Sequence, residues 1–207
     1  MTKPNQIDQI TAMILAGGHS SRMGQDKALI SVQGTPMIQR VYQIADQCAV
    51  QVYVVTPWIA RYRELLPSHC RFVQEAPLPD GIEMNGPLVG FAQGLMQVET
   101  EWVLLLACDL PRLQVDVLHS WMTQLSTVPD EAIAFLPSRS VGWEPLCGFY
   151  RKRCMPLLWE FVEEGGRSFQ RWLSKHPVQT LPLPDPDMLF NCNTPDDLST
   201  VKAMPID

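Results

Sequence analysis

Three features of the chain point to an α/β architecture with a largely parallel sheet. Short apolar runs such as "TAMILA" (residues 11–16) and "WVLLLA" (residues 102–107) are continuous, as in strands buried on both faces. Between such runs lie stretches whose apolar residues recur at helical spacing. The two kinds of segment then alternate along the sequence, which is the pattern of βα units.

The first strand is residues 11–16, and it ends in Gly17-Gly18. Thr35-Pro36 supplies a cap followed by proline at the first helical position, and Met37, Val41, Ile44, Ala45 and Cys48 keep one face of the helix apolar. Residues 50–56, "VQVYVVT", form the next strand; a short helical stretch at 61–65 and a strand at 71–74 follow. Pro87 opens a helix that carries Leu88, Phe91, Ala92, Leu95 and Met96 on one side, ahead of the buried strand 102–107. A helix at 115–125 and strands at 132–136 and 146–151 come next. Gly165-Gly166 ends one helix, Ser168 caps another, and the proline-rich 181–187 is an ordered loop. Thr194-Pro195, with Asp196 and Asp197 in the first turn, starts a final helix.

The length of 207 residues suits one well-buried domain spanning 1–207, and 46% hydrophobic against 18% charged residues is an ordinary globular balance. A formal charge of −6 argues against nucleic acid and anionic membranes as partners. An anionic substrate must therefore meet a local cluster of positive charge. The apolar runs fall far short of the ~20 residues that a membrane helix needs, and the first ten residues lack the apolar core of a secretory signal. The expected compartment is the cytoplasm. Six cysteines, at 48, 70, 108, 147, 154 and 192, form no CxxC pair and read as reduced, packed side chains.

In open α/β sheets ligands bind at the carboxyl ends of strands, and the loop after the first strand reads "AGGHSSRMGQDK". Glycines let consecutive amides approach phosphate oxygens, while Arg22 and Lys27 neutralise charge. The loop is neither a Walker A motif nor a dinucleotide fingerprint. Asp109 stands where the buried strand 102–107 gives way to Leu110-Pro111; it can bind Mg²⁺ with phosphate oxygens and water, or cap the following helix. Asn191 and Asn193 in "NCNTP" are turn formers or binding amides. The four histidines are scattered, and none is assigned a catalytic task.

The string 15–27 resembles the signature of the molybdenum cofactor guanylyltransferases, LAGG-x-S-x-RMG-x-DK, without a mismatch. "NGPLVG" (85–90), "CDLP" (108–111), "EPLCGFY" (144–150) and "FNCNTPDDL" (190–198) are similar to the family in the same order and extend the likeness over nearly the full length. The resemblance implies a Rossmann-like three-layer nucleotidyltransferase domain, its mixed, mainly parallel sheet covered by helices on both faces. It also implies GMP transfer from GTP to the terminal phosphate of molybdopterin or molybdenum-molybdopterin, releasing pyrophosphate. Lys27, Arg22 and Asp109 are then the catalytic residues, with Mg²⁺ on Asp109. GTP falls to Leu15, Ala16, Gly17, Gly18, Lys27 and Asp109, with Glu75 or Asp80 on the guanine side and Glu75 preferred by register. Molybdopterin falls to Arg22, Gly86, Asn191 and Asn193. Transient partners implied are cofactor-biosynthesis proteins and recipient molybdoenzymes. Glu144, where relatives carry other polar residues, has no assigned role. Alternative readings are a cytidylyltransferase of the same cofactor, a sugar-phosphate nucleotidyltransferase, and a non-catalytic nucleotide carrier.

Overall fold

The computed structural model describes residues 10–18, 25–78, 86–139 and 142–203. Strand β1 (Ile10–Leu15) is followed by a 3₁₀ turn at Lys27–Leu29 and a hairpin of β2 (Ser31–Val32) and β3 (Thr35–Pro36). Helix α1 (Met37–Cys48), β4 (Gln51–Thr56), the single turn α2 (Ile59–Tyr62) and β5 (Arg71–Gln74) complete the first half of the sheet. Then come α3 (Gly86–Leu95), β6 (Trp102–Ala107), α4 (Val115–Met122), β7 (Ala134–Arg139), β8 (Gly142–Trp143) and β9 (Cys147–Arg151). Helices α5 (Met155–Glu163) and α6 (Phe169–Leu173), strand β10 (Val178–Leu181) and helix α7 (Pro195–Ala203) close the described chain.

The main sheet has the order β10-β7-β9-β6-β1-β4-β5, with β8 paired to β7. β1 is parallel to both β4 and β6, and β9 is antiparallel to β6 and β7, so the sheet is mixed but mainly parallel. Alternate residues of the central strands feed two separate apolar layers. Ile10, Ala12 and Ile14 face Val41, Ala45, Leu118 and Trp121 from α1 and α4. Met13, Val103 and Leu105 face Phe91, Leu95, Leu158 and Trp172 from α3, α5 and α6. Covering helices on both faces explain why "TAMIL" and "WVLLLA" show no polar alternation. No described helix is long and apolar enough to cross a membrane. All six cysteines are free, and five of them are buried.

The expected start of α1 needs correction. Thr35 and Pro36 form β3 instead of cap and first helical residue, because Gln33 and Gly34 both have positive φ (51° and 84°) and turn the chain back on Ser31–Val32. Two such residues make a tight hairpin turn. Helix α1 therefore begins at Met37, whose amide donates to the carbonyl of Ile30 at 3.0 Å. The short helix expected at 61–65 lies earlier, at Ile59–Tyr62, and the helix expected over 115–125 stops at Met122.

Other expected boundaries are found. Gly165 has φ +83°; its amide donates to Val162, and the amide of Gly166 donates to Phe161, ending α5 as a Schellman motif. Ser168 accepts from the amide of Arg171 at the start of α6. Thr194 and Asp197 cap α7 reciprocally: the Asp197 amide donates to Thr194 Oγ1 at 3.1 Å, and the Thr194 amide to Asp197 Oδ2 at 2.8 Å. The proline-rich stretch is ordered, its first residue finishing β10. Trp121 Nε1 donates to the Pro182 carbonyl (2.8 Å), and Gln114 Nε2 to Asp185 (3.0 Å).

Candidate active site

A cleft of about 480 Å³ lies at the carboxyl ends of β1, β4, β5 and β6. Leu15, Ala16, Gly17 and Gly18 form its floor, Lys27, Cys108 and Asp109 one flank, and Pro57, Trp58, Glu75 and Ala76 the other; Gly86 and Gly90 also line it. The floor is fixed by the sheet. The Ala16 amide donates to Val55, the Cys108 amide to Leu15, and Thr56 Oγ1 to the Ala16 carbonyl at 2.8 Å. A Cβ built on Gly18 meets nothing within 4 Å, so this residue borders open space.

Lys27 Nζ joins two distant parts of the chain. It donates to Asn193 Oδ1 and lies 3.6 Å from Asp109 Oδ2, with both partners of that ion pair only 19% exposed. The segment bearing Asn193 is held in turn, because the Cys192 amide donates to the Asp109 carbonyl at 3.2 Å and the Asn193 amide to Asp197 Oδ2 at 2.9 Å. Burial pushes the Asp109 carboxyl above the usual aspartate value, against the pull of Lys27. A largely buried carboxylate at a strand end, facing an open cleft, suits a cation that takes one or two carboxylates and completes its shell with phosphate and water. Among the described residues no three His, Cys, Asp or Glu side chains gather into a cage.

Glu75 lies on the opposite flank, wedged between two glycines. A Cβ on Gly17 would come 2.5 Å from Glu75 Oε2, and one on Gly90 would come 3.3 Å from the same atom. Burial raises its carboxyl above the usual glutamate value. Gln93 of α3 fixes the chain beyond it, accepting from the Ala76 amide (2.9 Å) and donating to the Ala76 carbonyl (2.8 Å).

Of the expected site residues, Leu15, Ala16, Gly17, Gly18, Lys27, Glu75, Gly86 and Asp109 all line the cleft. Asn193 reaches it through Lys27, while Asn191 is exposed in the same segment. Arg22 and Asp80 lie outside the described residues. Glu144 forms an ion pair with Arg139 at 2.7 Å and does not line the cleft. His69, His119 and His176 are also absent from its lining. Cys108 does line it, but burial pushes its thiol well above the ordinary value, so it packs as a neutral group.

Sequence reasoning missed two residues here. Asp26 accepts from Tyr62 Oη at 2.7 Å, from Arg61 at 3.2 Å and from the Ala28 amide at 3.1 Å. Trp58 lines the cleft beneath the Arg61 guanidinium, which lies 4.2 Å from the ring centroid. The available signal for Trp58 was its position just past the carboxyl end of a buried strand. Asp26 stood within the motif 15–27, but its link to the other side of the cleft was not legible, because those side-chain partners come from 35 and 36 residues further along the chain.

Comparison with known proteins gives a consistent result. The family model for the MobA-like NTP transferase domain matches residues 12–180. A protein of Trichormus variabilis named as a probable molybdenum cofactor guanylyltransferase is 59% identical over 197 residues, covering 95% of this chain and 92% of the relative. The molybdenum cofactor guanylyltransferase of Pseudomonas putida is 32% identical, covering 93% and 97%. Among solved structures, molybdopterin-guanine dinucleotide biosynthesis protein A from Archaeoglobus fulgidus superimposes with a TM-score of 0.76 over 93% of this chain and 97% of its own. At 20% identity that likeness speaks for the fold.

Proposed function

This chain belongs to the MobA-like NTP transferases, the family of the molybdenum cofactor guanylyltransferases, and from that premise we propose that it transfers GMP from GTP to the terminal phosphate of molybdopterin or its molybdenum-loaded form. It is a nucleotidyltransferase, and the relatives named above support a guanylyl transfer to the pterin. The observation that carries the reading is the position of Lys27. Its ammonium stands between Asp109 and Asn193, beside a glycine floor open to a ligand.

The attacking group is a phosphate that is already anionic at neutral pH, so no general base is needed. It displaces pyrophosphate from the α-phosphorus in line. The obstacle is charge, since two unit charges 4 Å apart interact by about 4 kcal/mol at an effective dielectric of 20. The amides of Gly17 and Gly18 and the ammonium of Lys27 hold the triphosphate, and Arg22, from the same sequence motif, meets the incoming phosphate. Asp109 would hold Mg²⁺, which when bound would supply Lewis-acid stabilisation of the developing charge. Asn191 and Asn193 contribute amides on the pterin side. Glu75, as a carboxylate, accepts from the two neighbouring donors on the Watson–Crick edge of guanine, an arrangement that adenine and cytosine do not offer.

Pyrophosphate release with GTP, CTP and ATP, measured with a molybdopterin acceptor and again with sugar 1-phosphates, tests the reading. Release is expected from GTP with the pterin acceptor only. Equal release from CTP favours the cytidylyl alternative, turnover of a sugar phosphate the sugar alternative, and GTP binding without turnover the carrier.

A further inference from the structure

We propose that Trp58 is a specificity-determining residue of this cleft: it stacks on the purine of the bound nucleoside triphosphate, and Arg61 and Asp26 tie it to Lys27. The proposal rests on the guanylyl-transfer reading above.

Sheet order fixes the polarity of the cleft. With β6, β1, β4 and β5 side by side, the loops at their carboxyl ends run from Asp109, past Gly17-Gly18, to Trp58 and Glu75. Lys27 and Asp109 mark the phosphate end. Glu75 shares the cleft lining with Pro57, Trp58, Ala76 and Pro77, which follow β4 and β5, and Trp58 is the only aromatic side chain among the described lining residues. One carboxylate amid apolar side chains matches a nucleobase, whose faces are apolar and whose edge is polar.

Trp58 is anchored at both its backbone and its ring. Its amide donates to Thr56 Oγ1 at 3.1 Å, and that hydroxyl donates to the carbonyl of Ala16 on the cleft floor. The Arg61 guanidinium, 4.2 Å from the ring, holds the indole by cation–π attraction. The same guanidinium pairs with Asp26 Oδ2 at 3.2 Å, reinforced by Tyr62 Oη at 2.7 Å. Asp26 also caps the turn that begins at Lys27, its Oδ1 accepting from the Ala28 amide. A displacement of the indole therefore reaches the residue beside the lysine through two contacts. Base identity and lysine geometry are linked.

The test uses the full chain, with GTP and CTP as probes, read by quenching of intrinsic tryptophan fluorescence and by steady-state pyrophosphate release. Base–aromatic stacking of this kind sets the scale, so Trp58→Leu should weaken GTP binding roughly tenfold to a hundredfold and abolish most of the GTP-dependent quench. It should affect CTP less, and Trp58→Phe should restore most of the GTP affinity. Arg61→Met, which removes both the cation over the indole and the link to Asp26, should lower kcat several-fold and weaken GTP binding less than Trp58→Leu does. Trp58→Leu that binds GTP like the wild type, or Trp58→Phe that keeps the full quench, overturns the proposal and leaves guanylyl transfer standing. Failure of the wild-type protein to bind GTP overturns both.

Discussion

Gly17→Ala perturbs Glu75 without changing Glu75 itself. Gly17 is not among the residues with positive φ, so its backbone accepts alanine. The new Cβ lies 2.5 Å from Glu75 Oε2 and 3.3 Å from Pro57 Cδ, whereas ordinary contact begins at 3.4 Å. The carboxylate must retreat by the difference, about 0.9 Å. A hydrogen bond of ~2.9 Å stretched by that amount leaves bonding range. Losing one charged hydrogen bond to the base costs about 1.5–3 kcal/mol, or roughly 10- to 150-fold in affinity. Calorimetric titration with GTP measures it, and a melting curve checks that the fold is intact. Shortening the arm in Gly17→Ala/Glu75→Asp makes room for the methyl group and should recover part of the loss. Wild-type affinity for GTP in Gly17→Ala would refute the base-reading role, because the two atoms cannot share the space.

Lys27→Ala should lower turnover at least about a hundredfold, as removal of a preorganised electrostatic group does; single-turnover kinetics at saturating GTP and Mg²⁺ read it, and near-normal turnover takes Lys27 out of the mechanism. Asp109→Asn should require far more Mg²⁺ for half-maximal rate, and an unchanged titration discards the ligand assignment. In the metal-free protein burial raises the Asp109 carboxyl, so at subsaturating Mg²⁺ the apparent affinity for the metal should begin to fall on acidification at a higher pH than an ordinary aspartate would give. For Asp197 the sign is opposite: the amides it accepts hold its carboxyl below the usual value, so its stabilisation is complete above the unfolded aspartate pKa and fades as pH falls towards the folded one. The melting-temperature gap between wild type and Asp197→Asn should accordingly be constant near neutrality and close below about pH 4.

The parts of the fold that could be read from sequence are those where burial on two sides leaves a one-dimensional trace. β1 and β6 carry no polar alternation, and the glycine pair after α5 and the Ser168 cap are local signals. The direction of β9 left no such trace, because an antiparallel neighbour in a covered sheet is as apolar as a parallel one. β10 was missed since only Leu181 of its four residues is buried. Thr35-Pro36 misled because a cap-proline pair and the second arm of a tight hairpin share their residue types, and the deciding torsions belong to Gln33 and Gly34. At the site, the motif supplied Lys27, Asp109 and the glycine floor. Glu75 lies against Gly17 and Gly90 in the cleft, while Asp80 lies outside the described residues, so the choice between the two is left where the register put it. Trp58 and Asp26 depend on side chains that meet only after α2 is in position.

The hydrogen bond from Lys27 to Asn193 spans 166 residues of sequence. During synthesis the ammonium group therefore leaves the ribosome well before its amide partner. A nascent chain can already have formed its central strands and still hold this lysine in only half of its final setting. With Lys27 in the role proposed above, acquisition of activity should thus trail acquisition of shape.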